Sequence, residues 1–362
     1  MLRQAGLLLV LFHNGSSCSS KVRRSALMIA HPGQLSEQDL ERPFLVNGPE
    51  GFNALAMDLF HLHAAHNPVY RGFLSGLGVD PSGITAVGAI PFLPIALFRS
   101  HRVLLDGLDP GSHFTSSGTT GAITSRHHVP FPKVYERSFI SSFTAVYGPP
   151  SEWRVLALLP DYLEREGSSL VYMAQKLIEA SGDPLSGTYL YKYAELAEIL
   201  RRSESEERRT LLIGVSFALL DLAEQFPQRL KYGVVMETGG MKGRRPEIVR
   251  SELHRILEDA FDLDAIHSEY GMTELLSQAW STGNGLYECP PWMRVSIREV
   301  NDPLSMASIG RSGGINVIDL ANIASCPFIE TQDLGRLHDN GKFEVLGRFD
   351  HSDVRGCNLM VD

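Results

Sequence analysis

The chain has 362 residues, 43% of them hydrophobic, and its 42 acidic against 33 basic side chains give a formal net charge of -9. Such a chain can bury a large core, as one large domain or two to three lobes. Its only dense basic cluster, Lys242, Arg244 and Arg245, is short, which argues against nucleic acid as the main partner. Four widely separated cysteines, Cys18, Cys289, Cys326 and Cys357, make no CxxC pair and no structural zinc spacing, a usage that fits a reducing, cytoplasmic setting.

Residues 1–32 begin with Arg3, an apolar run from Ala5 to Phe12 and the small-residue stretch NGSSCSS, an imitation of a short signal peptide. The apolar run is brief and no Leu stands three residues before Cys18, so the segment reads as a disordered or mis-started extension. No other segment approaches the roughly 18 apolar residues that span a bilayer.

From residue 33 onward helices and strands alternate. SEQDLERPF starts with an N-cap at Ser36, and the stretch from Gly51 to Leu77 sets Phe52, Leu55, Leu59 and Leu62 near helical spacing. Pro91 and Pro94 then break the periodicity. Three strand-like runs each lead into a helical pattern: EWRVLALLP before GSSLVYMAQKLIEA, TLLIGVS before FALLDLAEQF, and YGVVMETGG before PEIVRSELHRILEDAF. That alternation predicts an α/β fold with a mainly parallel sheet. After Tyr287 short β-like pieces, GGINVIDL and GKFEVLGRFD, predict a small antiparallel subdomain. The expected organisation is an extension over 1–32, an α/β core with an N-terminal helical region over 33–286, and a β-rich subdomain over 287–362.

Two constellations imitate sites. His61, His63 and His66 fan around a helix at about 100° per residue, so they read as a solvated helix face rather than converging metal ligands. GVSFA at 214–218 has the strand–turn–helix setting of a hydrolase nucleophile, but Ala218 replaces the second glycine and no histidine stands out for Ser216.

The stretch HFTSSGTTG at 113–121 is richer. Hydroxyls around glycine expose successive backbone N–H groups and side-chain donors, a concavity suited to phosphate; a flexible polar loop is the bland alternative. No Gly-Lys-Ser/Thr follows, so it is not a Walker A loop.

Three further stretches, SEYGMTE (268–274), TQDLGR (331–336) and GRFDHSDVRG (347–356), follow in order, and with SSGTTG they resemble the core motifs of the adenylate-forming superfamily. NPVYRGF, IPFLPIALFRSHRV, LPDYLEREGSSLVYM, GVSFALLDL, ETGGMKGRRPE and YGMTELLSQAW are similar to the acyl-protein synthetases of the bacterial luminescence fatty-acid reductase system (LuxE type), with phenylacetate-CoA ligases as more distant relatives. The resemblance implies the large N-terminal domain of an adenylate-forming enzyme, using ATP and Mg²⁺ to activate a fatty or other carboxylic acid. It sets Ser116, Ser117, Gly118, Thr119, Thr120 and Gly121 around the triphosphate and Tyr270 on the adenine beside the backbone of Gly239 and Gly240, with Gly271, Met272 and Thr273 at the nucleotide. Glu274 falls near Mg²⁺, Asp333 on the ribose hydroxyls, and Arg348 beside the same sugar.

Full-length members of the superfamily continue into a lid domain with a lysine for adenylation. Here the sequence ends 12 residues after Asp350, which predicts no such lid. In LuxE-type proteins a cysteine close to the C-terminus accepts the acyl group, and Cys357 matches it; an acyl-accepting reductase or carrier protein is the implied partner. A coenzyme A ligase and a non-catalytic nucleotide-binding subunit are the alternatives.

Overall fold

The computed structural model describes residues 35–116, 124–159, 167–241, 244–246 and 248–349. The chain opens with α1 (Glu37–Glu41), where Ser36 and Asp39 close a reciprocal capping box. The expected amphipathic stretch forms two helices, α2 (Gly48–His66) and α3 (Pro68–Gly76). They separate at Asn67, whose side chain accepts from the N–H groups of Val69 and Tyr70, and Pro68 occupies the first helical position, where no N–H is needed. Phe52, Leu55, Leu59 and Leu62 are all buried, as their spacing predicts.

The proline-broken stretch becomes β1 (Leu93–Pro94) and α4 (Leu97–Ser100). β2 (Ser112–Thr115) and β3 (Arg126–Val129) pair antiparallel on either side of the Ser/Thr/Gly stretch of sequence, and α5 (Pro132–Tyr147) follows. The α/β part then runs β4 (Arg154–Leu158), α6 (Ser169–Ser181), β5 (Gly187–Thr188), α7 (Tyr193–Ser205), β6 (Thr210–Gly214), α8 (Ser216–Gln225), β7 (Gly233–Glu237), α9 (Arg250–Phe261), β8 (His267–Tyr270) and β9 (Ala279–Ser281). Its strand order is β5-β4-β6-β7-β8-β9, parallel except at β9. Every residue of β4 and β6 is buried, which is what a parallel strand covered on both faces requires.

A second sheet holds β10 (Leu286–Tyr287), β11 (Met293–Arg298), β12 (Ser312–Asp319), β13 (Phe328–Leu337) and β14 (Phe343–Arg348) in the antiparallel order β10-β14-β13-β12-β11. β1 joins it from far upstream, pairing in parallel with the start of β13. A bridge between Trp280 and Glu288 links the two sheets, and one contiguous apolar core runs through helices and both sheets. Among the described residues no helix is long and apolar enough to cross a membrane.

One expectation needs correction. His61 is exposed, but His63 on α2 is fully buried rather than on a solvated face. Its Nε2 lies 3.0 Å from the carbonyl oxygen of Ile323, and Asn67 Nδ2 lies 3.2 Å from its Nδ1. Burial lowers its pKa to about 3, so it is a neutral core histidine that ties α2 to the loop after β12.

Candidate nucleotide and acid site

The loops at the C-terminal ends of the parallel strands meet the second sheet and the base of the β2–β3 hairpin around a cleft of about 740 Å³. Ser116, Gly239, Gly240, Gly271, Met272, Thr273, Glu274, Asp333 and Arg348 all line it. Residues spread over more than 230 positions of sequence are thus brought to one place. Ser117, Gly118, Thr119, Thr120, Gly121 and Cys357 lie outside the described residues.

The stem of the hydroxyl-rich loop is closed by Ser116, whose N–H donates to the Ser125 carbonyl at 3.2 Å and whose Oγ accepts from the Ser125 N–H at 2.9 Å. His127 on β3 fastens that stem to the motif after β8, with its ring nitrogens 2.8 Å from the Thr273 carbonyl oxygen and 3.0 Å from Asn322 Oδ1. Burial pulls its pKa down to about 4, so it stays neutral at physiological pH. Asn322 in turn donates to the Glu274 carbonyl at 2.8 Å.

Glu274 itself is only 4% exposed. Burial raises its pKa, against a hydrogen bond from Ser125 and the positive charges of Arg348 and Arg99. It borders the cleft without a close ion pair among the described residues.

The TGG turn follows β7. Gly239 and Gly240 have φ of 76° and 95°, a backbone state that side chains rarely adopt. The Gly239 N–H donates to Glu237 Oε2 at 2.7 Å, and Glu237 also accepts from Arg250 Nε at 3.2 Å. Arg250 reaches on to the Val345 carbonyl at 2.9 Å, so one guanidinium pins the turn to β14.

Asp333 on β13 faces Arg348 across the β13–β14 ladder, and Arg348 Nε donates to its Oδ1 at 3.2 Å. Tyr270 donates its hydroxyl to Asp333 Oδ2 at 2.9 Å. Tyr270 does not line the cleft: its ring is packed edge-on against Phe343 and beside Tyr287, which makes it the support of Asp333 rather than an open platform in this arrangement. Tyr270→Phe is therefore expected to destabilise the protein by about 1–2 kcal/mol, the loss of one buried hydrogen bond to a carboxylate, measurable as a lower urea midpoint.

Several residues escaped sequence reasoning. His127, Asn322 and Arg250 act through backbone atoms that only the fold brings near, and no motif marks them. Arg99, Glu269 and Gln278 also line the cleft. Glu269 and Gln278 sit inside or beside the SEYGMTE stretch, whose flanks are the one signal that could have found them. Ser216 is buried at the start of α8 and does not line the cleft.

No family model matches the sequence, and no curated protein matches it either. Solved structures do. An open conformation of 2-hydroxyisobutyryl-CoA ligase in complex with 2-HIB-AMP and CoA superposes with a TM-score of 0.62 at 13% identity, over 82% of this chain and 70% of that one. An ATP-bound RpMatB-BxBclM chimera gives a TM-score of 0.50 at 16% identity, over 65% of this chain and 47% of that one. The chain is therefore built on the α/β fold of adenylate-forming enzymes, matching their N-terminal domain with its β-rich C-terminal region.

Proposed function

We propose that the protein activates a carboxylic acid with ATP to an acyl-adenylate and then passes the acyl group to a cysteine thiol. The observation that carries this reading is the convergence of Ser116, the TGG turn, Gly271 to Glu274, Asp333 and Arg348 on one cleft large enough for a nucleotide and an acid together.

Each wall has a chemistry suited to one part of the substrates. N–H and hydroxyl donors of the β2–β3 loop would receive phosphate oxygens. The side-chain-free Gly239 and Gly240 would let adenine approach the backbone, and Asp333, an acceptor oriented by Tyr270 and Arg348, would take the ribose hydroxyls. A carboxylate oxygen of the acid attacks the α-phosphorus, the bond from that phosphorus to the bridging oxygen breaks, and pyrophosphate leaves. Arg99 and Arg348 offset the charge that builds in the step.

Mg²⁺ fits Glu274. Among the described residues no group of three His, Cys, Asp or Glu could cage a metal ion, and Mg²⁺ is commonly held by one or two carboxylates plus substrate phosphates. Bound there it would neutralise charge on the departing pyrophosphate.

In the second half-reaction the thiolate attacks the acyl carbonyl, AMP leaves, and a thioester remains. Cys357 is the proposed acceptor, loaded for a reductase or carrier protein. The two cysteines among the described residues support that choice: burial pushes the thiols of Cys289 and Cys326 up to about 12, which leaves almost no thiolate at neutral pH. Cys357→Ser is expected to retain acid-dependent ATP–pyrophosphate exchange and to lose the hydroxylamine-labile acyl label. Label that persists at wild-type level on this variant, or that appears in coenzyme A when coenzyme A is added, shifts the reading to a soluble thioester ligase.

A further inference from the structure

Part of the cleft has no role in that scheme. Successive residues of a strand point to opposite faces, and since Tyr270 reaches Asp333, the preceding Glu269 is turned away from the ribose wall. It lines the cleft together with Tyr135 of α5, Ser169, Leu170 and Met173 of α6, and Gln278.

Hydrogen bonding fixes the polarity of this subsite. Tyr135 donates its hydroxyl to the Ser169 carbonyl at 3.1 Å, so its oxygen is left to accept from Gln278 Nε2 at 3.4 Å. That orients the amide and leaves Gln278 Oε1 as the free end. Gln278 is 2% exposed, and its Oε1 has no hydrogen-bond partner. The partly buried Glu269 has no hydrogen bond or ion pair among the described residues, and its carboxyl packs so closely on Gly271 that a Cβ there would collide with it. Burial, and then the charge of Glu237, raise its pKa to about 8. Glu237 is itself engaged by Arg250, His254 and the Gly239 N–H.

A plain alkyl chain lying here would seal two polar groups away from water with nothing to bond them, which costs on each of them. The geometry points to an acid whose chain carries a hydrogen-bond donor, a hydroxyl or an ammonium, received between Gln278 Oε1 and the Glu269 carboxyl. A hydroxyl accepts a hydrogen bond from the protonated carboxyl and donates its own O–H to Gln278 Oε1. An ammonium donates to both and lets Glu269 ionise. Leu170 and Met173 would cover the carbon chain on either kind of acid. This inference rests on the adenylation reading, which makes the cleft the acid's site.

The test uses stable acyl-adenylate mimics, 5′-O-(N-acylsulfamoyl)adenosines with four-carbon acyl groups: butanoyl, its 2-, 3- and 4-hydroxy forms, and its 2-, 3- and 4-amino forms. Binding is measured by calorimetry on the full chain. At least one donor-bearing mimic is expected to bind tenfold or more tightly than butanoyl. Gln278→Leu should erase that preference. Glu269→Gln, nearly isosteric, should erase it if the favoured donor is an ammonium and keep it if it is a hydroxyl. Wild-type protein alone decides the main point, whether or not the variants fold. Butanoyl binding as tightly as every donor-bearing mimic overturns the inference and leaves adenylation standing. Failure of all the mimics to bind overturns both.

Discussion

Glu274→Gln is expected to slow acid-dependent ATP–pyrophosphate exchange by roughly 10²–10³-fold, the scale of losing one dedicated electrostatic stabiliser of a reaction, and to move its Mg²⁺ dependence to higher concentration. The substitution keeps the shape of a side chain that is almost wholly buried and exchanges an ionisable oxygen pair for an amide, a weaker ligand for a hard cation. Fold loss is not the expected cause. Burial already raises the Glu274 pKa, so a neutral amide relieves desolvation at that position, and the melting temperature should hold or rise. The combination is the diagnostic: slower exchange, altered Mg²⁺ dependence, unchanged stability. An exchange rate and Mg²⁺ dependence equal to wild type would take Glu274 out of the chemistry.

The largest effect on stability is expected at Asp319, the last residue of β12. It is fully buried, and it accepts from the Leu276 N–H at 2.7 Å, the Ser277 hydroxyl at 2.6 Å and the Ala321 N–H at 3.1 Å. Asp319→Ala orphans three buried donors at once. At about 1–3 kcal/mol for each group left without a partner, partly relieved by relaxation and water, the cost should be about 3–5 kcal/mol, a large share of a typical 5–15 kcal/mol stability. Two of those donors, Leu276 and Ser277, lie two and three residues after Glu274, so the variant should also lose exchange activity. Asp319→Asn keeps one acceptor oxygen and should cost less. Burial pushes the Asp319 pKa up to about 6, above its value in an unfolded chain. The folded state therefore holds this proton more tightly. Wild-type stability then falls as pH rises from about 4 to 6 through this group, and Asp319→Asn should flatten that part of the profile. Urea midpoints across that range measure both effects. A loss below 1 kcal/mol for Asp319→Ala would show that the loop after β8 is held by something else.

Local pattern carried the α/β core well. The three strand–helix pairs are found where a short apolar run passes into helical spacing, because strands buried on both faces are uniformly apolar and their helices are not. α5 and α7 were not foreseen. PKVYERSFISSFTAVY and YAELAEILRRSES stand outside the three pairs, and although each buries a face at helical spacing, the serines within it, Ser138, Ser142 and Ser203, dilute the apolar signal. β13 was also missed as a strand, although TQDLG lies at its middle: Thr331, Asp333 and Gly335 alternate with Gln332 and Leu334, and polar residues facing a cleft erase the apolar alternation that marks a strand. The motif positions lie far apart in sequence. Those among them that the structure describes share one cleft, except Tyr270, whose ring is taken up by Tyr287 and Phe343 from a strand and a hairpin that sequence spacing does not place near it. The supports, His127, Asn322, Arg250 and Asp319, were not legible at all, since each works through a backbone atom of a segment remote in sequence.

The pairing of β1 with β13 and the His63–Ile323 contact, which spans 260 residues, bear on how the molecule comes into being. Closing a loop that long forfeits chain entropy before any contact repays it, and contacts of that range slow folding. At roughly 5–20 residues per second, a translating ribosome needs on the order of 10–50 s to travel from His63 to Ile323. For that interval the apolar faces of α2 and α3 have no sheet to cover them. The nascent α2 and α3 thus wait with their apolar faces open to water, and Asp333 gains its partner strand β14 only after residue 343 has been made.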